Sequence, residues 1–541
     1  MAAPAPATAT TTTTRAHALL IPYPCSGHIN PTLHFARLLH SAGVLVTFVN
    51  TEHNHALMVE RARGRGHAHD VVDDVFMWGF RYVAIPDGLA PSSERGAQDH
   101  YSMGLLRAVV THCAGHLRAL IVRLNSDAAA AAGASSSAAL SPVTCVVASE
   151  LMSFALDVAA DLGLPSYMLW GTSACGLACG RAVGELRRRG HVPLKDESDL
   201  TNGYLDTPID WIAGMPAVRL GDISSFVRTL DPQCFALRVE EDEANSCARA
   251  RGLILNTFED LESDVLHALR DEFPRVYTIG PLAAAMHRAQ QCHGHGRSAA
   301  VAPPAPGLSL WEEDSKCMSW LDAQADGSVL YVSFGSLAVL SLEQLAELAW
   351  GLAASNRPFL WVVRPGLVVG DRGADALPED FLAETRGRCF IAEWCAQEQV
   401  LRHRAVGGFL THSGWNSTTE SIWSGVPMLC WPGFADQYIN CRYACEEWGI
   451  GLRLDETLRR EQVTARVEEL MGGGGDTDDR AREMRRRAAE WKAKAEAAAT
   501  APGGSSYESL DRLVEDLRLA VAEADAEAEL ATATPTTQGR R

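Results

Sequence analysis

The sequence predicts an α/β protein built from two doubly wound halves, and three observations carry that prediction. Short β-rich runs alternate with helical stretches, the pattern of parallel strands joined by crossovers. The alternation lapses near residue 283 and resumes near residue 329, so it comes in two blocks. The 541 residues are 47% hydrophobic and 21% charged, ordinary globular usage for about three to four average domains or two large ones.

Residues 1–16 are mostly Ala, Pro and Thr without an apolar stretch, and are read as a solvated tail rather than a secretory signal. A first domain follows at 17–282. Its strands are placed near Ala18–Pro22, Val44–Asn50, Tyr82–Ile85, Thr144–Ala148, Ser166–Trp170, Leu253–Asn256 and Val276–Ile279. Helical spacing marks Pro31–Ser41 and Ser153–Leu162, and the Ala/Ser run Ala128–Ser141 reads as a surface loop. Residues 283–309, rich in Ala, His, Pro and Gly, read as a linker. The second domain, 310–479, has strands near Val329–Phe334, Phe359–Val363, Cys389–Ile391, Gly408–Leu410, Pro427–Cys430 and Gly451–Leu452. Gly472–Asp479 is a loop before helices at about Arg480–Ala499 and Glu508–Ala528, so 480–526 is helical and 527–541 is a tail.

The net charge of −19 argues against nonspecific binding to nucleic acid or anionic membrane, since no global field draws the chain to phosphate. No run of about 18 apolar residues predicts a membrane span. Fourteen cysteines without a Cys-x-x-Cys pair read as reduced core thiols in a cytoplasmic compartment. His67-Ala68-His69-Asp70 and Cys292-His293-Gly294-His295 fall in expected loops and lack further spaced ligands, so no metal site is expected. A kinase or a dehydrogenase would need a Walker loop or Gly-x-Gly-x-x-Gly, and neither is present.

Chemistry-bearing residues concentrate between Trp394 and Gln437. The core of this segment, Gly407-Gly408-Phe409-Leu410-Thr411-His412-Ser413-Gly414-Trp415-Asn416-Ser417, is a buried strand, a turn and the start of a helix. Ligands of open α/β sheets sit at such strand ends, and a helix N-terminus there offers N–H groups to an anion. Helical spacing puts Asn416 and Glu420 on one face with His412 at its mouth. His412 and Ser417 could then hold phosphate, Glu420 could accept two ribose hydroxyls, and Trp394 could stack a base.

These 44 residues resemble the signature box of plant UDP-sugar glycosyltransferases. Ile85-Pro86-Asp87-Gly88-Leu89, Pro193-Leu194-Lys195-Asp196-Glu197-Ser198 and Asp210-Trp211-Ile212-Ala213-Gly214-Met215 resemble the branch containing cyanohydrin glucosyltransferases. The resemblance implies a GT-B fold: two Rossmann-like domains facing across a cleft, with the C-terminal helix returning to the first. It assigns uracil to Trp394 and Gln397, the diphosphate to His412, Asn416 and Ser417, ribose to Glu420, and the hexose to Trp415, Asp436 and Gln437. Ser336, in Phe334-Gly335-Ser336, matches a strand-end loop that touches phosphate. Ala396, Ser413 and Gly433 depart from the usual Pro, Cys and aromatic residue.

A second constellation, Tyr23-Pro24-Cys25-Ser26-Gly27-His28-Ile29-Asn30-Pro31, follows the first strand. Pro31 suits a helix's first turn, which leaves His28 in the strand-to-helix loop. A neutral imidazole there can take a proton from an attacking hydroxyl. The resemblance matches His28 to the family's catalytic base and Glu150, in Ser149-Glu150-Leu151-Met152-Ser153-Phe154, to the Asp that orients it.

The expected activity is inverting transfer of a hexose, glucose by preference, from a UDP-sugar to a hydroxyl of a small lipophilic acceptor. The donor is a substrate and no cofactor is called for. A monomer without nucleic-acid or membrane partners is expected. The second reading is a UDP-sugar-binding protein impaired by the Asp-to-Glu change at Glu150.

Overall fold

A computed structural model describes residues 15–64, 79–90, 103–132, 141–293, 310–370, 373–472 and 476–533. Two parallel sheets organise them. The first contains β1 (His17–Ile21), β2 (Leu45–Thr51), β3 (Phe80–Ile85), β4 (Cys145–Ser149), β5 (Ser166–Trp170), β6 (Gly252–Leu255) and β7 (Val276–Thr278), in the order β3-β2-β1-β4-β5-β6-β7. The second contains β8 (Val329–Ser333), β9 (Phe359–Val362), β10 (Cys389–Ala392), β11 (Val406–Thr411), β12 (Met428–Cys430) and β13 (Gly451–Arg453), in the order β10-β9-β8-β11-β12-β13. Most of these strands are buried along their whole length, as parallel strands covered by helices on both faces must be.

Each sheet reverses direction once. β1 pairs with β2 on one side (Ala18 opposite Val46) and with β4 on the other (Ala18 opposite Cys145). β8 sits likewise between β9 and β11, with Val332 opposite both Trp361 and Leu410. Crossover helices leave from opposite faces at such a reversal and open a crevice at the strand C-termini. Both crevices hold the site residues described below.

The core follows the two faces. In the first domain Leu20, Phe35, Phe48 and Tyr167 fill one side of the sheet, while Leu117, Ile121, Val146 and Trp170 fill the other. In the second, Phe359, Trp361 and Phe381 pack together under β9.

The helices Asp476–Thr500 and Ser505–Ala533 bring the chain back to the first domain. Leu513 and Leu517 join that domain's core, and the Asp516 carboxylate accepts from Tyr167 Oη at 2.8 Å and from Arg251 at 3.0 Å. Ser506 Oγ donates to the Gly280 carbonyl at 2.6 Å.

Four readings of the sequence are revised, the first at Asp476–Asp479, where the segment read as loop instead opens the helix Asp476–Thr500. The helix Met103–Ala132 runs into the segment read as loop from Ala128, because alanine has the highest helix propensity; residues 133–140 lie outside the described ones. Part of that helix is long and apolar enough to cross a bilayer, yet Val109, Leu117 and Ile121 pack in the core. Leu282–His293 is a helix within the segment read as linker, with Leu282, Ala283 and Met286 buried; residues 294–309 are outside the described ones. The final helix reaches Ala533, beyond the expected 526. The 1–14 part of the tail and the His67–Asp70 cluster also lie outside the described residues, as do Gly294 and His295 of the second cluster.

Candidate active site

α1 (Ser26–Ser41) follows β1 after a short turn and begins five residues before Pro31, so His28 lies in the helix's first turn rather than in a loop. Pro31 is therefore inside the helix. A proline there has no N–H for the carbonyl four residues back, which is that of Gly27. Asn416 Nδ2, from the second domain, donates to that freed carbonyl at 2.7 Å. A defect in one helix thus becomes a hydrogen bond across the cleft.

His28 lies edge-on to the Tyr23 ring, with centroids 5.5 Å apart. Burial lowers its pKa to about 4, so the imidazole is neutral at physiological pH. The expected orienting carboxylate is not its partner. Glu150 Oε2 accepts from the Gly171 N–H at 3.2 Å, and among the described residues it makes no hydrogen bond to His28. The Glu150 carboxylate is instead engaged at Gly171, the residue after β5. Burial, then Asp436, raises the Glu150 pKa well above the usual carboxylate range.

The partner of His28 is Ser149, at the end of β4. Its Oγ lies 3.3 Å from His28 Nδ1, accepts from the Tyr23 N–H at 2.8 Å and donates to the Glu150 carbonyl at 3.0 Å. A hydroxyl has one hydrogen. With that hydrogen on the carbonyl, the contact to His28 requires Nδ1 to donate, which leaves the lone pair on Nε2. Gly171 makes the arrangement possible: a Cβ there would stand 2.8 Å from His28 Cε1 and 3.0 Å from Glu150 Oε2.

The other wall comes from the second domain. α2 (Trp415–Ser424) follows β11, and its first turns carry Asn416, Ser417 and Glu420. Gln397 organises this face. Its Nε2 donates to Glu420 Oε2 at 2.7 Å and Ser417 Oγ at 2.9 Å, while Tyr331 Oη donates to its Oε1 at 3.1 Å. Burial, then Glu398, lifts the Glu420 pKa to about 8. Trp394, just after β10, is stacked on Trp311 at 5.1 Å between centroids. His412 directly follows β11, and burial, then Arg364, lowers its pKa to about 4. Gly335, at φ 66°, and Gly414 clear space for its ring: a Cβ on either would come within 2.7 Å of Nε2.

Asp436 and Gln437 open α3 (Gln437–Arg442), after β12. Asn440 Nδ2 donates to Asp436 Oδ2 at 2.7 Å, and burial raises the Asp436 pKa to about 6. Gln437 Oε1 accepts from the Gly433 and Phe434 N–H groups at 2.9 and 3.1 Å, so its amide nitrogen is the atom left to meet a ligand. Trp415 donates its indole N–H to the Asn256 carbonyl at 3.0 Å, a second bond across the cleft.

All twelve residues singled out in the sequence line one cavity of about 870 Å³. Sequence reasoning missed Ser149, Gly171 and Arg364. Arg364, buried two residues beyond β9, donates Nε to the Gly335 carbonyl at 2.9 Å and braces the loop that holds Ser336. Its place at a strand C-terminus was the signal that could have found it.

A family model for UDP-glucoronosyl and UDP-glucosyl transferase matches residues 312–474. A 7-deoxyloganetin glucosyltransferase of Gardenia jasminoides is 44% identical over 501 residues, covering 93% of this chain and 97% of the relative. The chain belongs to the UDP-glycosyltransferase family. A (R)-mandelonitrile beta-glucosyltransferase of Prunus dulcis is 43% identical to this UDP-glycosyltransferase over 507 residues, covering 94% of this chain and 98% of the relative. Os79 from O. sativa, solved in complex with UDP, superposes with a TM-score of 0.71 at 26% identity, covering 92% of this chain and all of that one. The enzyme therefore has the GT-B fold, with two Rossmann-like domains facing across a cleft.

Proposed function

We propose that this UDP-glycosyltransferase moves glucose from UDP-glucose to a hydroxyl of a small lipophilic acceptor, with inversion at the anomeric carbon. The observation that carries the proposal is that His28, from one switch point, and the donor-box residues of the other line a shared cavity. Phe226, Val239, Trp170, Met103 and Leu106 line the His28 side of the cavity, an apolar environment suited to a terpenoid alcohol or a cyanohydrin rather than a sugar or an anion.

In this reading His28 Nε2 takes the acceptor proton as its oxygen attacks the anomeric carbon. Ser149 keeps the other ring hydrogen on Nδ1. The bond to UDP breaks on the opposite face through an oxocarbenium-like state. Charge grows on the diphosphate, where the N-terminus of α2, Ser417 and a neutral His412 offering one N–H stabilise it. Trp394 and Gln397 hold the base and Glu420 the ribose. Asp436 accepts from hexose hydroxyls while the Gln437 amide nitrogen donates to one. The cavity wall supplies these donors itself, so no metal or cofactor is called for. The Ser149 contact gives His28 an orienting partner, which supports the active-enzyme reading over the impaired one. The thirteen described cysteines are all free, which supports a cytoplasmic location, and a monomer fits a site built within one chain.

Turnover of UDP-glucose against UDP-galactose, read as UDP release with a panel of small alcohols, tests the proposal. UDP-glucose is expected to turn over faster, because Asp436 and Gln437 address neighbouring equatorial hydroxyls. Faster turnover with UDP-galactose contradicts the donor assignment, and UDP release with none of the alcohols contradicts the acceptor class.

The pH dependence separates Asp436 from His28. Asp436 accepts hydrogen bonds best as the carboxylate, and its pKa is raised to about 6. Donor kcat/KM is therefore expected to fall first as pH drops through about 8, where Glu420 takes up a proton, and again through about 6, the limb set by Asp436. His28, at about 4, stays a competent base throughout that window. Asp436→Asn should lower activity and flatten this acid limb. A limb unchanged in Asp436→Asn would assign it to another group.

A further inference from the structure

The fold gathers three cysteines, read from the sequence as core thiols, at one point. Cys430 ends β12, Cys441 lies in α3, and Cys445 lies in the π-helical turn Tyr443–Glu447 that continues α3. Cys441 and Cys445 are four residues apart and share a helix face, with their Sγ atoms 4.0 Å apart. All three Sγ atoms lie within 4.8 Å of one another. A point equidistant from three sulfurs at these spacings is about 2.3–2.8 Å from each, and zinc–thiolate bonds are about 2.3 Å. One ion in the plane of the sulfurs needs shifts of only a few tenths of an ångström.

A fourth group faces the same place. Ser413 is 1% exposed and held at φ 63° in the turn between His412 and Trp415. Its hydroxyl lies beside the Cys430 thiol and makes no well-formed hydrogen bond among the described residues. A buried hydroxyl left in this way demands a reason, and a fourth ligand position supplies one. Arg453 lies near Cys430 and Cys441, with its guanidinium paired to Asp222 Oδ1 at 2.8 Å. Cys430 and Cys441 are buried, while half-buried Cys445 provides an entry path.

We propose that Cys430, Cys441 and Cys445, with Ser413 as a fourth contact, bind one soft, thiolate-preferring cation of the Zn²⁺ and Cd²⁺ class. Three sulfurs and one oxygen select such an ion over Mg²⁺ or Ca²⁺, which prefer oxygen alone. The three thiol protons pass to solvent as the metal–sulfur bonds form, with no change of oxidation state. The ion would tie β12 to α3 behind the turn that carries His412. Its role is structural and independent of the glycosyl-transfer reading.

The test is titration of the reduced full-length protein with Cd²⁺, following the ultraviolet sulfur-to-cadmium charge-transfer band. The band is expected to saturate at one equivalent. Cys441→Ser and Cys445→Ser should each weaken binding by at least about 100-fold, since losing a ligand exceeds the 10–100-fold cost of losing a supporting partner. Mass spectrometry of alkylated protein is a second readout that needs no variant: Zn²⁺ should protect Cys445 in the unaltered chain. No band saturating at one equivalent, wild-type affinity in both variants, or alkylation of Cys445 indifferent to Zn²⁺ would overturn the proposal.

Discussion

Replacing His28 with alanine is expected to cut acceptor transfer by about 10²–10⁴, the range of general-base catalysis. UDP affinity should change little, because the nucleotide-facing side chains belong to the other domain. The imidazole is already neutral, with its pKa lowered to about 4, so the loss should appear in kcat across the neutral range rather than as a displaced pH optimum. Calorimetric titration with UDP and circular dichroism of the variant separate loss of the base from loss of the fold. Full kcat in a folded variant would remove His28 from the chemistry.

Ser149→Ala carries the second-largest expected effect. The hydroxyl is buried and accepts from both His28 Nδ1 and the Tyr23 N–H. Its loss leaves the imidazole free to place its hydrogen on either nitrogen and leaves a buried donor without a partner. That costs about 1–3 kcal/mol, or roughly 5- to 150-fold in rate where it falls on the transition state. The effect should fall on kcat, with the UDP-glucose Kd unchanged, and Ser149→Thr should restore most of the rate by restoring the hydroxyl. Glu150→Gln should be nearly silent. Burial pushes the Glu150 carboxyl well above the usual carboxylate range, which weakens its charge, and glutamine still offers an oxygen to the Gly171 N–H. Steady-state kinetics of the three variants checks this ordering. Glu150→Gln as slow as Ser149→Ala would mean that the carboxylate swings to His28 once substrates are bound.

The contrast between Ser149 and Glu150 marks where the sequence stopped being sufficient. Strand runs such as Ser166–Trp170 were legible because a parallel strand buried on both faces must be apolar throughout. The donor box was legible because its function depends on consecutive turns of one strand–helix unit, which local spacing records. The choice between Ser149 and Glu150 depends instead on how far each side chain ends from a ring that follows another strand. Only the fold sets that distance. The start of α1 was misplaced for a related reason. Pro31 normally marks a first turn, and the hydrogen bond that makes it tolerable further in comes from Asn416, 385 residues later. Alanine-rich 283–293 reads as linker by composition but becomes a helix because its apolar side chains have α1 to pack against. The cysteine cluster shares this origin: Cys430 is distant from Cys441 and Cys445 in any local pattern and meets them only when α3 folds back on β12.

The central claim is a single displacement at the anomeric carbon with His28 as base, and the configuration of the product tests it most directly. The enzyme, supplied with UDP-α-glucose and a small alcohol that proves to be a substrate, should yield a glucoside whose anomeric proton coupling in its nuclear magnetic resonance spectrum identifies the β-anomer. The same measurement on the residual product of His28→Ala should also give the β-anomer, only more slowly. An α-glucoside from the unaltered enzyme would mean a double displacement or a front-face reaction, and would contradict the account.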